Sequence, residues 1–322
     1  MIIALSGGVG GAKLALGLSR VMPPEELTVV VNTGDDFEHL GLSISPDIDT
    51  VTYTLAGLAN RELGWGRHDE TWSFMDTLES LGGETWFRLG DRDMALHVER
   101  TWRLKAGESL SAVTAAFCQR FGIRSRVIPM TDDPVRTRLL TEAGWLDFQE
   151  YFVHRRCEPV VTQLQFQGAG AARPHPDFMA ALQDPSLEAV VICPSNPFIS
   201  VEPILAIPGV RQALATCAAP VIAVSPIIAG KAVKGPTAKM MSELGLDPSA
   251  GTVAHRYQDI LDGYVIDHAD MSEVVSIDAR VTLAQTLMTT IEDREALARV
   301  VLDAAAVLRR REMRGVRHRA SQ

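Results

Sequence analysis

Cysteine is scarce in this sequence, positive charge is in deficit and long apolar runs are missing, and each shortage removes a class of protein. The four cysteines, Cys118, Cys157, Cys193 and Cys217, are far apart and include no Cys-x-x-Cys pair. That usage fits reduced thiols and argues against a disulfide framework or a structural zinc site. The formal net charge of −9 argues against general nucleic-acid binding, which needs a basic surface to displace counterions. An anionic ligand must therefore meet a locally positive site. The opening MIIALSGG shows no basic leader and only a short apolar run before glycine. Neither a signal peptide nor a membrane span is expected, so the protein is expected in the cytoplasm without a membrane partner. His39, His68 and His97 form neither HxxxH nor HExxH, which leaves a zinc hydrolase unsupported, and no GxSxG elbow occurs.

What is present is an ordinary globular composition, 46% hydrophobic and 22% charged over 322 residues. That length suits one large unit with insertions, or two domains. Residues 2–5 are a short apolar run ending in Ser6-Gly7-Gly8-Val9-Gly10-Gly11, and residues 12–21 follow with helical spacing. Residues 27–31 read as a second buried strand, ending in Asn32-Thr33-Gly34-Asp35-Asp36. Strand, glycine turn, helix and strand make a βαβ unit. The same grammar returns at 189–193, 221–224, 264–266 and 273–275, before a long closing helix over 294–311. Residues 149–154 and 160–166 read as short extended pieces in a mixed stretch that holds most of the tryptophans. The expected fold is α/β: a Rossmann-like, doubly wound, mostly parallel sheet built from 1–60 and 186–308, with an inserted helical and mixed subdomain over 61–185. Residues 309–322, with six arginines, read as a basic tail, the frayed, solvated end of the closing helix.

Four clusters carry the chemistry. Glycines at a strand-to-helix turn let backbone N–H groups approach phosphate oxygens, and the helix N-terminus adds partial positive charge. Gly7, Gly8, Gly10, Gly11 and Lys13 are therefore expected to bind phosphate. A third dinucleotide glycine is missing, because Lys13 stands there, and no Walker Gly-Lys-Ser/Thr occurs. The second cluster is Asp35 and Asp36, with Asp47 and Asp49 further on. Carboxylates at the C-terminal edge of a parallel sheet beside a diphosphate point to Mg²⁺. The third is Leu89-Gly90-Asp91-Arg92-Asp93, where Arg92 is a candidate phosphate or transition-state ligand flanked by carboxylates, if it is not simply a salt-bridged turn. The fourth is a set of late loops, Ser195-Asn196-Pro197, Ser225 and Lys234, all expected to converge on the same sheet edge. Trp65 and its neighbouring tryptophans either stack on a flat ring or fill the inserted subdomain's core.

In order along the chain, LSGGVGGAK, NTGDD, GLSISPDIDT with YTLAGL, GWGRHDETW, RLGDRDMALH, PSNPFISVEPIL and SPIIAGKAVKGPTAKM resemble the 2-phospho-L-lactate transferase family (CofD/FbiA) of coenzyme F420 biosynthesis. The resemblance runs from residue 1 to about 270. It implies a Mg²⁺-dependent transferase that moves a phospho-three-carbon-acid group (2-phospholactyl, phosphoenolpyruvyl or 3-phosphoglyceryl) from its guanosine diphospho-conjugate to the deazaflavin Fo, releasing GMP. By this likeness Asp35 and Asp49 bind the metal, and Gly8, Gly10 and Gly11 lie along the diphosphate. Ser195, Asn196 and Pro197 hold the guanosine end, with Ser225 and Lys234 on the phosphates. Asp49, Asp91, Asp93 and Trp65 face the deazaflavin, and Asp35, Asp36 and Arg92 serve the chemistry. The likeness also implies a homodimer. Two other readings start from the same motifs: an NAD(P)-dependent oxidoreductase, and a nucleotide-binding regulator without catalysis.

Overall fold

The structure is a computed structural model that describes residues 1–60, 66–233 and 235–319, with side chains through residue 309. The chain opens with β1 (Ile2–Ser6), α1 (Gly8–Val21), β2 (Leu27–Val31), the small hairpin β3 (Phe37–His39) and β4 (Leu42–Ile44), and α2 (Pro46–Leu55). Next come α3 (Ser73–Ser80), α4 (Asp91–Lys105), α5 (Leu110–Arg120), β5 (Arg126–Pro129), β6 (Arg136–Thr141), β7 (Gly144–Asp147) and β8 (Gln163–Gln167). Then follow α6 (Pro176–Leu182), β9 (Ala189–Ile192), α7 (Glu202–Leu205), α8 (Val210–Ala215), β10 (Val221–Val224), and the hairpin β11 (Ile227–Ile228) and β12 (Lys231–Ala232). The chain closes with α9 (Thr237–Glu243), α10 (Ala250–Arg256), β13 (Gly263–Asp267), β14 (Arg280–Ala284) and α11 (Ile291–Arg319).

Seven strands form one all-parallel sheet in the order β14-β13-β10-β9-β1-β2-β5. Its central strands are buried at every position and almost entirely apolar, with Ser6 and Thr28 as the polar residues, because helices cover both faces of β1, β2, β9 and β10. One face packs Leu14 and Leu18 of α1 and Val51 of α2 with Leu297 and Val301 of α11. The other buries Phe178, Leu214, Met240, Val253 and Tyr257. The winding reverses once. From β1 the chain runs outward through β2 to β5, then returns to lay β9 on the other side of β1 and runs outward again. The gap beyond the C-terminal ends of β1 and β9 is therefore the sheet's switch point, where doubly wound folds bind ligands.

The closeness of α1 and α11 depends on Gly17, where a Cβ would collide with the Arg294 carbonyl and stand 3.3 Å from Ala298 Cβ. Gly17→Ala is expected to destabilise the fold by about 1–3 kcal/mol through overpacking, read as a lower urea midpoint. An unchanged midpoint would mean that the two helices separate without penalty.

The structure differs from several sequence expectations. β5 lies within 61–185 yet completes the main sheet, so that segment supplies an edge strand as well as α3–α5 and the antiparallel sheet β7-β6-β8. Residues 273–275, expected as a strand, belong to the 3₁₀ stretch His268–Ser276, and the last strand is β14. Val275 is 94% exposed, so no sheet neighbour buries it. Residues 149–154, expected to be extended, contain the π-helical turn Glu150–His154. The closing helix, expected over 294–311, runs as α11 from Ile291 to Arg319. None of the described helices is long and apolar enough to cross a membrane.

Candidate functional site

A cavity of about 510 Å³ opens at the switch point. Its floor is the turn after β1: Gly7, Gly8, Val9, Gly10 and Lys13 line it, together with Pro194, Ser195 and Asn196 after β9. Gly8 has φ +63°, a left-handed conformation that glycine adopts without penalty. At Gly10 a Cβ would strike the Pro194 carbonyl, so glycine is what lets the two loops touch. Gly11 does not line the cavity; its Cα faces Ser6 and Ser195 and packs the turn against β9. Ser195 Oγ accepts from Gly7 N–H (3.1 Å) and donates to the Gly7 carbonyl (2.8 Å), stapling one loop to the other. Asn196 Oδ1 caps a π-helical turn, Pro197–Val201, by accepting from Phe198 and Ile199 N–H. The polar atoms of these two side chains thus shape the floor.

Two carboxylates face the cavity. Asp47, in the first turn of α2, accepts from Gly8 N–H (2.6 Å) and from Asn32 Nδ2 (2.8 Å). An anion's oxygen at a helix N-terminus would be held in the same way. Asp35 lines the cavity beside it, and its buried Oδ1 has no hydrogen-bond partner among the described residues. Burial raises the pKa of Asp35 well above the usual carboxylate range, and the neighbouring Asp47 charge adds to the shift. Burial also lifts Asp47 to about 6. Two desolvated carboxylates side by side are in a poor state for charge unless a cation joins them.

Behind this pair lies a second layer that the cavity does not reach. Asp36 accepts from Ser45 Oγ (2.9 Å) and is pushed to about 7 by burial, against the pull of Arg136. Asp49 lies two residues beyond Asp47, about 200° around the helix, and so faces the other way. It pairs with both terminal nitrogens of Arg100, Nη1 at 3.0 Å, and Arg100 is 1% exposed. Nη1 also lies 3.2 Å from His97 Nδ1, while His97 Nε2 stands 3.3 Å from Asp93, which accepts from the Tyr53 hydroxyl. Asp49, Asp93 and His97 offer ligand atoms within 4.8 Å of one another, a spacing that could hold a metal ion.

The rest of the wall comes from elsewhere. Phe148, Gln149, Phe152 and Val153 line it around the π-helical turn, the Phe148 and Phe152 rings stacked at 5.2 Å. Ile199 and Ser200 of the other π-helical turn face the same space, a placement common for π-turns at working sites. Phe87 and Arg88 approach from the loop before α4, and Ser225 and Thr286 from the β10 and β14 ends. Among the sequence candidates, Gly7, Gly8, Gly10, Lys13, Asp35, Ser195, Asn196 and Ser225 thus meet at one cavity. Gly11, Asp36, Asp49 and Pro197 are buried or packed near it without lining it. Asp91 accepts from Thr71, Ser73 and Phe74 at the start of α3, Asp93 belongs to the His97 network, and Arg92 is exposed and does not line the cavity. Trp65 and Lys234 lie outside the described residues. Arg88, Phe148 and Phe152 were missed, because no spacing signal marks them; only the folding back of the 84–153 region brings them here.

Comparison with known proteins decides the family. The profile of the 2-phospho-L-lactate transferase CofD family matches residues 2–307. The chain belongs to the CofD family. It is 40% identical over 317 residues to the phosphoenolpyruvate transferase of Streptomyces griseus, covering 96% of this chain and 99% of that one. It is 38% identical over 306 residues to the 2-phospho-L-lactate transferase of Methanosarcina mazei, covering 94% and 100%. Among solved structures, a member of the UPF0052 family from Bacillus halodurans superposes with a TM-score of 0.64 at 12% identity, covering 94% of this chain and 98% of that one, and shares the fold. This CofD-family chain is thus a transferase of the type that carries a phospholactyl or phosphoenolpyruvyl group to Fo in coenzyme F420 biosynthesis. Hydride transfer and catalysis-free regulation, the two rival readings, give way to it.

Proposed function

We propose that the switch-point cavity binds the guanosine diphospho-conjugate of a three-carbon acid along the glycine turn, with Mg²⁺ on the Asp35–Asp47 side and Fo against the aromatic wall. The observation that carries this reading is the pair of buried carboxylates facing the turn, Asp35 with an oxygen that has no hydrogen-bond partner among the described residues. Mg²⁺ takes one or two carboxylates and fills its remaining positions with phosphate oxygens and water, which fits this all-oxygen pair. The Asp49–Asp93–His97 group suits that ion less well, because Arg100 already neutralises Asp49 there. When bound, Mg²⁺ supplies charge neutralisation on the diphosphate.

In the reaction, the terminal ribityl hydroxyl oxygen of Fo attacks the phosphorus bearing the three-carbon acid. A new P–O bond forms to Fo, the bond to the bridging oxygen breaks, and GMP leaves with that electron pair. The hydroxyl proton passes to Asp35, which faces the cavity with an oxygen that has no hydrogen-bond partner among the described residues. Backbone N–H groups of the turn hold the phosphates, the Ser195 staple keeps the turn in place, and the aromatic wall excludes water. Positioning and electrostatics then supply most of the rate, with no covalent intermediate. The reading includes a cytoplasmic homodimer, which light scattering of the purified chain tests.

Offering the lactyl, enolpyruvyl and phosphoglyceryl donors in competition, with Fo and Mg²⁺, identifies the acid by mass spectrometry of the deazaflavin product. One donor is expected to dominate; the absence of product from all of them would overturn the reading. The metal is tested separately through stability. The folded pKa values of Asp35 and Asp47 are raised, so the stability they contribute is fully present below the unfolded value near 4. It is lost as pH rises through the folded values, about 6 for Asp47. Mg²⁺ is therefore expected to raise Tm clearly at pH 8 and little at pH 5, where protons already occupy the pair. An equal rise at both pH values would place the ion elsewhere.

A further inference from the structure

We propose that Arg88 binds the carboxylate of the donor's three-carbon acid; this deepens the proposed function and rests on it. The donor carries two kinds of anion, a diphosphate and a carboxylate, and the proposed function gives a place to the first. The glycine turn, the α1 N-terminus and the Asp35–Asp47 pair with its cation take the diphosphate. The diphosphate oxygens and water fill the cation's remaining positions there, which leaves the carboxylate unpaired. It needs a cation of its own.

Among the described residues lining the cavity, Lys13 and Arg88 are the cationic ones. Lys13 belongs to the turn side, where its Nζ donates to the Met288 carbonyl at 2.7 Å. Arg88 enters from another element, and its neighbour Phe87 packs edge-on against Phe37 with ring centroids 4.8 Å apart. Phe37 directly follows Asp35 and Asp36 in the chain. The loop carrying Arg88 is thus fastened to the segment that carries Asp35, one of the cavity's two carboxylates, which puts a second cation on the same cavity wall.

The guanidinium is available for a ligand. It lies over the Trp72 ring at 4.9 Å, which fixes its plane, and its ion-pair partner is Asp76 at 3.3 Å. Arg88 and Asp76 are 51% and 68% exposed, so water screens their attraction and Asp76 holds Arg88 only weakly. A ligand carboxylate inside the cavity can replace Asp76 and take both N–H donors of the planar fork, a match that a lysine cannot copy.

The test pairs Arg88→Gln and Arg88→Lys with two donors, the natural acid and its carboxamide, at saturating Fo and Mg²⁺. With the acid, Arg88→Gln is expected to raise the donor KM about 10-fold with little change in kcat, and Arg88→Lys less. The wild type should show a similar 10-fold rise on going to the carboxamide, and Arg88→Gln should add nothing further. GDP affinity should be the same in all three proteins. The proposal is overturned if Arg88→Gln handles the acid as well as the wild type does, or weakens both donors equally. A wild type that turns over neither donor defeats the functional reading itself, and this proposal with it.

Discussion

Asp35→Asn is expected to lower turnover about 10²–10³-fold while making the metal-free protein more stable at pH 8. The loss follows from the work assigned to the side chain: it faces the diphosphate, holds the cation and receives the proton. The gain follows from what the same carboxylate costs the fold. It is 6% exposed, one oxygen lacks a partner among the described residues, and Asp47 and Asp36 lie close enough to repel it. An amide of the same shape removes that repulsion and is expected to stabilise by about 1–2 kcal/mol, an exchange of activity for stability common at strained sites. The gain should shrink as the pH is lowered, because the raised folded pKa of Asp35 lets a proton neutralise it earlier than in the unfolded chain. Urea unfolding in EDTA at pH 8 and pH 5 measures it. A variant less stable than wild type at both would show that Asp35 is a structural hydrogen-bonding residue.

Arg100→Met should do the reverse, weakening the fold by about 3–5 kcal/mol, because it strands Asp49 as a buried charge. Arg100 is 1% exposed and ties α4 to α2 through Asp49 and to His97 on its own helix. Arg100→Lys should recover only part of the loss, since one ammonium cannot serve both oxygens of Asp49. Removing the stranded charge as well, in Asp49→Asn with Arg100→Met, should restore more than the lysine does. Denaturant midpoints of wild type, Arg100→Met, Asp49→Asn and the double variant form a double-mutant cycle, with Arg100→Lys measured beside them. A single Arg100→Met variant as stable as wild type would show that water reaches Asp49.

These two predictions separate residues that the sequence alone could not. Asp47 and Asp49 belong to one short acidic motif, and nothing in their spacing says which faces the ligand. The answer depends on the helical phase of α2 and on Arg100, which lies 51 residues further on. The glycine turn and β1, β2, β9 and β10 were readable because a buried parallel strand is a nearly unbroken apolar run and the turn is chemically distinctive. Residues 273–275 misled for the same reason, since two valines look like a buried strand wherever they occur, and here one of them is left in water. Residues 149–154 contain Tyr151, Phe152 and Val153, types that favour strands, yet the π-helical turn puts Phe152 and Val153 on the cavity. The aromatic wall and Arg88 were unreadable because long-range folding brings them together.

The most direct test of the account is a product balance: GMP and the deazaflavin phosphodiester measured together, with purified protein, Fo and the preferred donor. The account predicts equal amounts of both, no GMP when Fo is left out, loss of both with EDTA, and recovery of both with Mg²⁺. GMP released without Fo, or product formed at full rate in EDTA, would contradict it.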